Sequence, residues 1–89
     1  MVQIVFTPNL QRHVNCPSSV ADASSVRAAL DLVFAANPQL RSYVIDEQGR
    51  LRKHVNVYVN DRMVNDRIAL SDAVTPNDEI FVFQALSGG

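Results

Sequence analysis

The sequence of 89 residues has no tryptophan, one cysteine and three glycines, two of which are its last two residues. A single cysteine, Cys16, excludes an internal disulfide framework and favours a reducing, cytoplasmic setting. No apolar run approaches the roughly 18 residues of a membrane span, and the segment Met1-Val2-Gln3-Ile4 does not follow a signal-peptide pattern. The formal net charge of −1 argues against a general affinity for nucleic acids or membranes.

The composition is that of one small folded domain. Hydrophobic residues make up 47% of the chain, and no tract has low complexity. A chain of this length buries roughly 60% of its unfolded surface, which suffices for one modest core.

The first third of the chain predicts a β-hairpin and a helix. Val2 to Phe6 is rich in β-branched residues and places Val2, Ile4 and Phe6 on one face, which predicts a strand. Gln11 to Cys16 is predicted to form a second strand that ends at Pro17-Ser18-Ser19. Ser25 is a suitable N-cap for a helix that Asn37-Pro38 ends, because proline disfavours helical geometry in the preceding residue. The apolar stripe of this helix consists of Val26, Ala29, Leu30, Val33 and Phe34.

The rest of the chain predicts mainly strands. Leu40 to Ile45 is interpreted as a turn followed by a short extended piece, and Asp46-Glu47-Gln48-Gly49 as a turn. His54 to Asn60 alternates as a half-buried strand, and Asn60-Asp61 then turns the chain into a short strand, Arg62-Met63-Val64. The remaining predicted elements are a helical turn at Leu70 to Val74, a break at Thr75-Pro76-Asn77-Asp78 and a final strand from Ile80 to Leu86.

This order of elements indicates an α+β protein. We expect a mixed sheet of four to five strands, with one long helix packed on one face.

The C-terminal residues Ser87-Gly88-Gly89 are the main candidate functional site. Glycine has no Cβ, so its backbone fits narrow channels that are closed to other residues. A partner enzyme can therefore thread such a tail into its active site and act on the terminal carboxylate.

Four segments carry a resemblance to a known family. They are Ser25-Val26-Arg27, His54 to Asn60, Asn77-Asp78-Glu79-Ile80 and Ser87-Gly88-Gly89. Their order and spacing resemble the ubiquitin-like sulfur carriers, a β-grasp family that includes the small subunit of molybdopterin synthase and the thiamin-pathway carrier. The resemblance implies a β-grasp domain over residues 1–86 and a flexible Gly-Gly tail over residues 87–89.

The resemblance also implies a chemistry for Gly89. Its carboxylate is ionised at neutral pH and would attack the α-phosphate of ATP in an E1-like adenylating enzyme. A persulfide or sulfide would then displace AMP and leave a thiocarboxylate for a downstream synthase subunit. The chain itself would bind no cofactor and would not be an enzyme, because the activating partner uses the ATP.

Several features leave the use of the sulfur open between molybdopterin, thiamin and cysteine biosynthesis. The long connection Pro38 to Lys53 resembles the subgroup that serves cysteine biosynthesis. Many members carry proline or a small apolar residue before the tail, where this chain has Gln84-Ala85-Leu86. The turn that often reads Asn-Gly in the family is Asn60-Asp61 in this chain. Two alternatives are a ubiquitin-like modifier conjugated through Gly89 and a non-covalent β-grasp interaction domain.

The candidate docking residues are Phe81, Phe83, Leu86 and Arg52. The last strand is apolar on both faces, so one face packs under the helix and the other is either core or a docking patch. Arg52 belongs to a basic cluster with Arg50, Lys53 and His54. This cluster either meets an acidic partner or a phosphate, or is simply solvated.

The remaining reactive side chains favour structural roles. Cys16 has no Cys-x-x-Cys partner, so we interpret it as a small apolar residue and not as the carrier of the sulfur. His13 and His54 lack the spacing of metal ligands, and no metal site is predicted.

Overall fold

The structure, a computed structural model, describes residues 1–6 and 18–84. In chain order, its elements are β1 (Val2–Phe6), β2 (Ser19–Ala21), α1 (Val26–Ala36), α2 (Pro38–Val44), β3 (Val55–Val59), β4 (Arg62–Met63) and β5 (Glu79–Gln84). The strands form one sheet in the order β2-β1-β5-β3-β4. β5 runs parallel to β1, whereas the other neighbouring strands are antiparallel. The predicted mixed α+β sheet is confirmed.

Alternation along the three central strands places the core on one face of the sheet. The inward positions form a single cluster with the helices, and they are Val2, Ile4 and Phe6 of β1, Val55, Val57 and Val59 of β3, and Ile80 and Val82 of β5. Since successive side chains of a strand point to opposite faces, the residues between these positions face away from the helices.

Helix α1 forms as the sequence predicts. Ser25 has an extended backbone (φ −145°), and its Oγ accepts a hydrogen bond of 3.1 Å from the N–H of Ala28. The N-cap therefore satisfies one of the unpaired donors of the first turn. All five residues of the predicted apolar stripe are buried, and Leu30 has no exposed surface.

A second helix, α2, follows where a turn and an extended piece were predicted, so the expectation of one long helix was wrong. Pro38 ends α1 and also occupies the first turn of α2, where its missing N–H is not needed. Leu40 and Val44 lie four positions apart on the same side of α2, and both are fully buried. Their burial stabilises a helix of only seven residues.

The first strand, β1, is confirmed, and it pairs antiparallel with β2. The predicted strand at Gln11 to Cys16 lies outside the described residues. The strand that pairs with β1 is Ser19–Ala21, which begins where the prediction placed a stop. Proline lacks a backbone donor only at its own position, so a strand can begin two residues after Pro17.

The predicted helical turn at Leu70 to Val74 was wrong. Leu70 has a left-handed backbone (φ 55°), and Ala73 forms a β-bridge with Ser25. The carbonyl oxygens of Leu70 and Asp72 accept hydrogen bonds from the first two N–H groups of α1. Helix N-termini need such acceptors, and this need overrides the local helical pattern.

Two predicted turns are confirmed. Gly49 has a φ of +82° and donates its N–H to the carbonyl of Asp46. Asn60 has a φ of 58° in the two-residue loop between β3 and β4, a region that asparagine tolerates better than most residues.

Candidate functional site

Strand β5 fixes the place where the C-terminal tail leaves the fold. The strand is paired on both sides, with β1 from Glu79 to Val82 and with β3 from Ile80 to Gln84. Its last described residue, Gln84, is the partner of Val55 at the beginning of β3. The predicted tail residues Ser87, Gly88 and Gly89, together with Leu86, lie outside the described residues.

The outward side chains of β5 form part of an apolar row across the sheet. Phe81 is half-buried between Val5 and Tyr58, its partners on either side, and Phe83 is 43% exposed opposite Asn56. Tyr58 is in turn paired with Met63, which is also 43% exposed. We call these residues, Val5, Phe81, Phe83, Tyr58 and Met63, the outer row. The predicted docking residues Phe81 and Phe83 thus lie on the face away from the helices.

The basic cluster lies at the end of the sheet where the tail leaves. Arg52, Lys53 and His54 are exposed, and a turn closed by a 3.0 Å hydrogen bond from the N–H of Val55 to the carbonyl of Arg52 leads them into β3. Because Val55 is the partner of Gln84, the fold brings Arg52 to the same end of the sheet as Phe83.

Arg67 holds this turn in place, a role that no sequence pattern predicted. Its guanidinium donates 2.7 Å to Oδ1 of Asn56, 2.8 Å to the carbonyl of Val55 and 3.1 Å to the carbonyl of Arg52. The rigid fork of arginine donors suits such a set of acceptors. No sequence signal joins these residues, since Arg67 belongs to a separate polar turn.

The turn that carries Arg67 is built around Asp66. Hydrogen bonds from the Ser71 hydroxyl and the Ala69 N–H to its carboxylate lower the pKa of Asp66 to about 2. The carboxylate of Asp72 accepts from the N–H groups of Asn65 and Asp66. Both acidic side chains therefore shape the loop that presents Arg67 to the β3 turn.

Among the described residues, Arg50 differs from the other members of the basic cluster because it has a carboxylate partner. Its Nε lies 3.3 Å from Oδ2 of Asp46. The N–H groups of Arg50 and Gln48 also donate to Oδ1 of Asp46. The pKa of Asp46 is lowered, first by the bond from the Arg50 backbone. Part of the charge of Arg50 is thus compensated within its own turn.

The other predicted roles concern Cys16, His13 and His54. Cys16 and His13 lie outside the described residues, and His54 is exposed. Within residues 1–6 and 18–84, no three His, Cys, Asp or Glu side chains are grouped to hold a metal ion. In the same part of the chain, no helix has the length and apolar character to cross a bilayer.

The fold defines the class of protein. A five-stranded mixed sheet with the last strand between β1 and β3, packed on a helix, is a β-grasp fold of the ubiquitin-like type. The model of the ThiS family matches residues 10–89. The chain belongs to this family, and the resemblance found in the sequence is confirmed.

Three similar proteins support this assignment. The small archaeal modifier protein 1 of Haloferax volcanii is 36% identical over 66 residues, which cover 74% of this chain and 71% of the relative. A crystal structure of that protein has a TM-score of 0.82 at 28% identity and covers 99% of this chain and 98% of its own. A chain of the Amycolatopsis orientalis BexX/CysO complex has a TM-score of 0.82 at 26% identity, with full coverage of both chains.

Proposed function

We propose that this protein is a cytoplasmic sulfur carrier whose Gly89 carboxylate is activated by an E1-like enzyme and converted to a thiocarboxylate. The observation that carries the proposal is the position of β5. The strand lies in the middle of the sheet, is paired on both sides and is followed directly by the sequence Ala85-Leu86-Ser87-Gly88-Gly89. The match to the ThiS family also extends to residue 89.

The proposed reaction has two steps, both in the partner enzyme. A carboxylate oxygen of Gly89 bonds to the α-phosphorus of ATP, and pyrophosphate leaves with the electrons of the broken P–O bond. Hydrosulfide then bonds to the acyl carbon, AMP leaves, and one proton is released. The product is the thiocarboxylate, and the chain needs no cofactor of its own.

The role of this chain is to deliver its terminus. Five extended residues, 85–89, span about 16 Å, so the tip can reach a recessed site while the sheet stays outside. We propose that the outer row, with Leu86, docks the activating enzyme and later the synthase subunit that takes the sulfur. Exposed aromatic side chains next to a threaded segment are typical interface anchors.

The similarity to the small archaeal modifier protein 1 supports a second candidate function. In this alternative, a lysine amine of another protein attacks the same acyl-adenylate, and Gly89 becomes part of an isopeptide bond. Both functions use the same activation step, and they differ in the nucleophile that follows it.

The test is loading of the tail by the activating enzyme with ATP and hydrosulfide. Intact mass spectrometry should detect the exchange of one oxygen for sulfur, and fragmentation should place it on Gly89. Deletion of Gly89 withdraws the carboxylate by about 3.5 Å. Because proximity supplies several kcal/mol of a barrier, this deletion should nearly abolish loading, and Gly88→Val should impair it through side-chain bulk.

Cys16→Ser is the matched control, since we expect it to load like the native chain. If the chain without Gly89 loads as fast as the native chain, the tail is not the working part and the proposal is wrong. Partner binding that survives the deletion would then favour a non-covalent interaction domain. Isopeptide conjugates in cell extracts, with no thiocarboxylate, would favour the modifier. The receiving pathway, for a pterin, a thiazole or cysteine, is tested by which synthase consumes the thiocarboxylate.

A further inference from the structure

The segments around the end of the sheet where the tail leaves carry both cations and carboxylates. Four of the eight Lys and Arg residues of the chain lie in these segments, in a protein whose formal net charge is −1. These four residues are Arg50, Arg52, Lys53 and Arg67.

Three of these cations have no carboxylate partner in the described part of the chain. The ion pairs there are Arg50 with Asp46 and Arg27 with Asp31. Within residues 1–6 and 18–84, the hydrogen-bond acceptors of Arg67 are neutral oxygens, and Nε of Arg52 donates to the carbonyl of Ser42.

The acidic side chains nearest in sequence to these cations make contacts of their own: Asp46 pairs with Arg50, and Asp72 accepts hydrogen bonds from the N–H groups of Asn65 and Asp66. The carboxylate of Asp66 accepts hydrogen bonds within its own turn, including those from Ser71 and Ala69. Glu47 is exposed at the tip of the turn that also holds Asp46 and Arg50. Arg52 and Lys53 are exposed and form no ion pair with these carboxylates in the described part of the chain.

We infer that Arg52 and Lys53 bind an acidic surface on the activating enzyme, at the mouth of the channel that admits the tail. This inference rests on the proposed function and adds the chemistry of the partner. Its basis is position and charge, since the turn 52–54 precedes Val55, the partner of Gln84. A protein that encloses the tail from its base therefore has this turn beside it.

The length of the tail distinguishes between two possible partners of Arg52 and Lys53, an acidic protein surface and the phosphates of ATP. If the tail is extended in the channel, Gly89 and its phosphate target lie about 16 Å beyond Gln84. Charges in solution are screened over about 8 Å at physiological ionic strength. A cluster at the base of the tail is therefore too far away to stabilise the reacting phosphate, but it faces the rim of the channel.

Such a contact acts mainly on encounter and affinity, and salt weakens it. The test measures loading rate against carrier concentration for the native chain, Lys53→Glu and Arg62→Glu, at low and high ionic strength. Arg62 is the matched control, because it is an exposed cation at the opposite end of β3 and undergoes the same change in charge. Thermal melts of all three chains establish that each is folded.

We expect Lys53→Glu to raise KM by about tenfold at low salt, equivalent to about 1.4 kcal/mol, with kcat unchanged. The effect should shrink at high salt, and Arg62→Glu should stay close to the native chain. Lys53→Gln should give an intermediate KM.

Two results would overturn the inference while the proposed function stands. One is a native KM for Lys53→Glu at low salt, and the other is a fall in kcat alone, which would place the cluster near the chemistry. If not even the native chain is loaded, the proposed function fails instead. In that case the inference is decided by binding of the same chains to the enzyme without ATP, where equal affinities of native and Lys53→Glu chains contradict it.

Discussion

The two ends of strand β5 differ in the contacts of their carboxylates and cations. At the start of the strand, the carboxylate of Asp78 accepts hydrogen bonds from the Asn60 amide (3.0 Å) and from the N–H of Thr75 (2.8 Å). The Asn60 side chain accepts in turn from the N–H of Glu79 (3.1 Å). These groups join the β3–β4 turn to the beginning of β5.

At the other end, Arg52 and Lys53 are exposed in the turn at residues 52–55 that leads into β3. Lys53 is exposed and has neither an ion pair nor a hydrogen bond from its side chain within residues 1–6 and 18–84. Polar groups that satisfy one another hold a fold together, whereas exposed charges contribute little to stability. The comparison indicates that the start of β5 is structural and that its end is available for a partner.

The largest expected effect on stability comes from a substitution in the core that lies under both ends of β5. Leu30 is fully buried in the single core cluster under the sheet. Leu30→Ala should reduce the free energy of unfolding by about 2–5 kcal/mol, as truncation of a buried leucine does. Denaturant unfolding measures the change, and hydrogen exchange of the Ile80 and Phe83 amides should speed up together.

Leu32→Ala is the control, because Leu32 lies on the same helix but is 51% exposed. Its cost should be well below that of Leu30→Ala. Faster exchange at only one of the two amides would show that the ends of β5 do not share one cooperative core.

A smaller effect is expected from Arg67→Leu, and it should be confined to the end where the tail leaves. The substitution removes three hydrogen bonds that tie the 52–55 turn to Asn56. The cost should be about 1–3 kcal/mol. Exchange of the Val55 amide should accelerate more than exchange of the Glu79 amide, and Arg41→Leu, at an exposed position of α2, should change neither. Equal acceleration at both ends would contradict a local role for Arg67.

The smallest effect is a pH dependence at the start of β5. Hydrogen bonds from the Thr75 backbone, followed by the Asn60 side chain, lower the pKa of Asp78 below its usual value of 3.8. A carboxyl whose pKa is lower in the folded state stabilises the fold above its unfolded pKa, and this contribution is lost as the pH falls through the folded value.

The Tm of Asp78→Asn should therefore be lower than that of the native chain at neutral pH. This difference in Tm should narrow as the pH falls below about 4. Asp61→Asn changes a carboxylate in the neighbouring turn and should follow the native chain over the same range. A difference for Asp78→Asn that stays constant from neutral to acidic pH would show that the ionised carboxylate does not stabilise this end.

Local sequence patterns predicted the elements that depend on nearby residues. The Ser25 cap, the apolar stripe of α1 and the alternation of β3 each depend on positions a few residues apart, and all are confirmed. The incorrect predictions concern segments whose structure depends on residues that are distant in the sequence. α2 depends on burial of Leu40 and Val44 in the shared core, and Leu70 and Asp72 are held by the N-terminus of α1.

The sequence by itself determined the composition of the candidate site and the two faces of its strand. It places Ser87-Gly88-Gly89 directly after an apolar strand, and strict alternation sends Phe81 and Phe83 to the face opposite Ile80 and Val82. Only the tertiary structure decided what surrounds the base of the tail. The pairing of Val55 with Gln84 brings the turn at residues 52–55 to the base of the tail. Local patterns do not encode this pairing, because strand register is fixed by long-range hydrogen bonds and core packing.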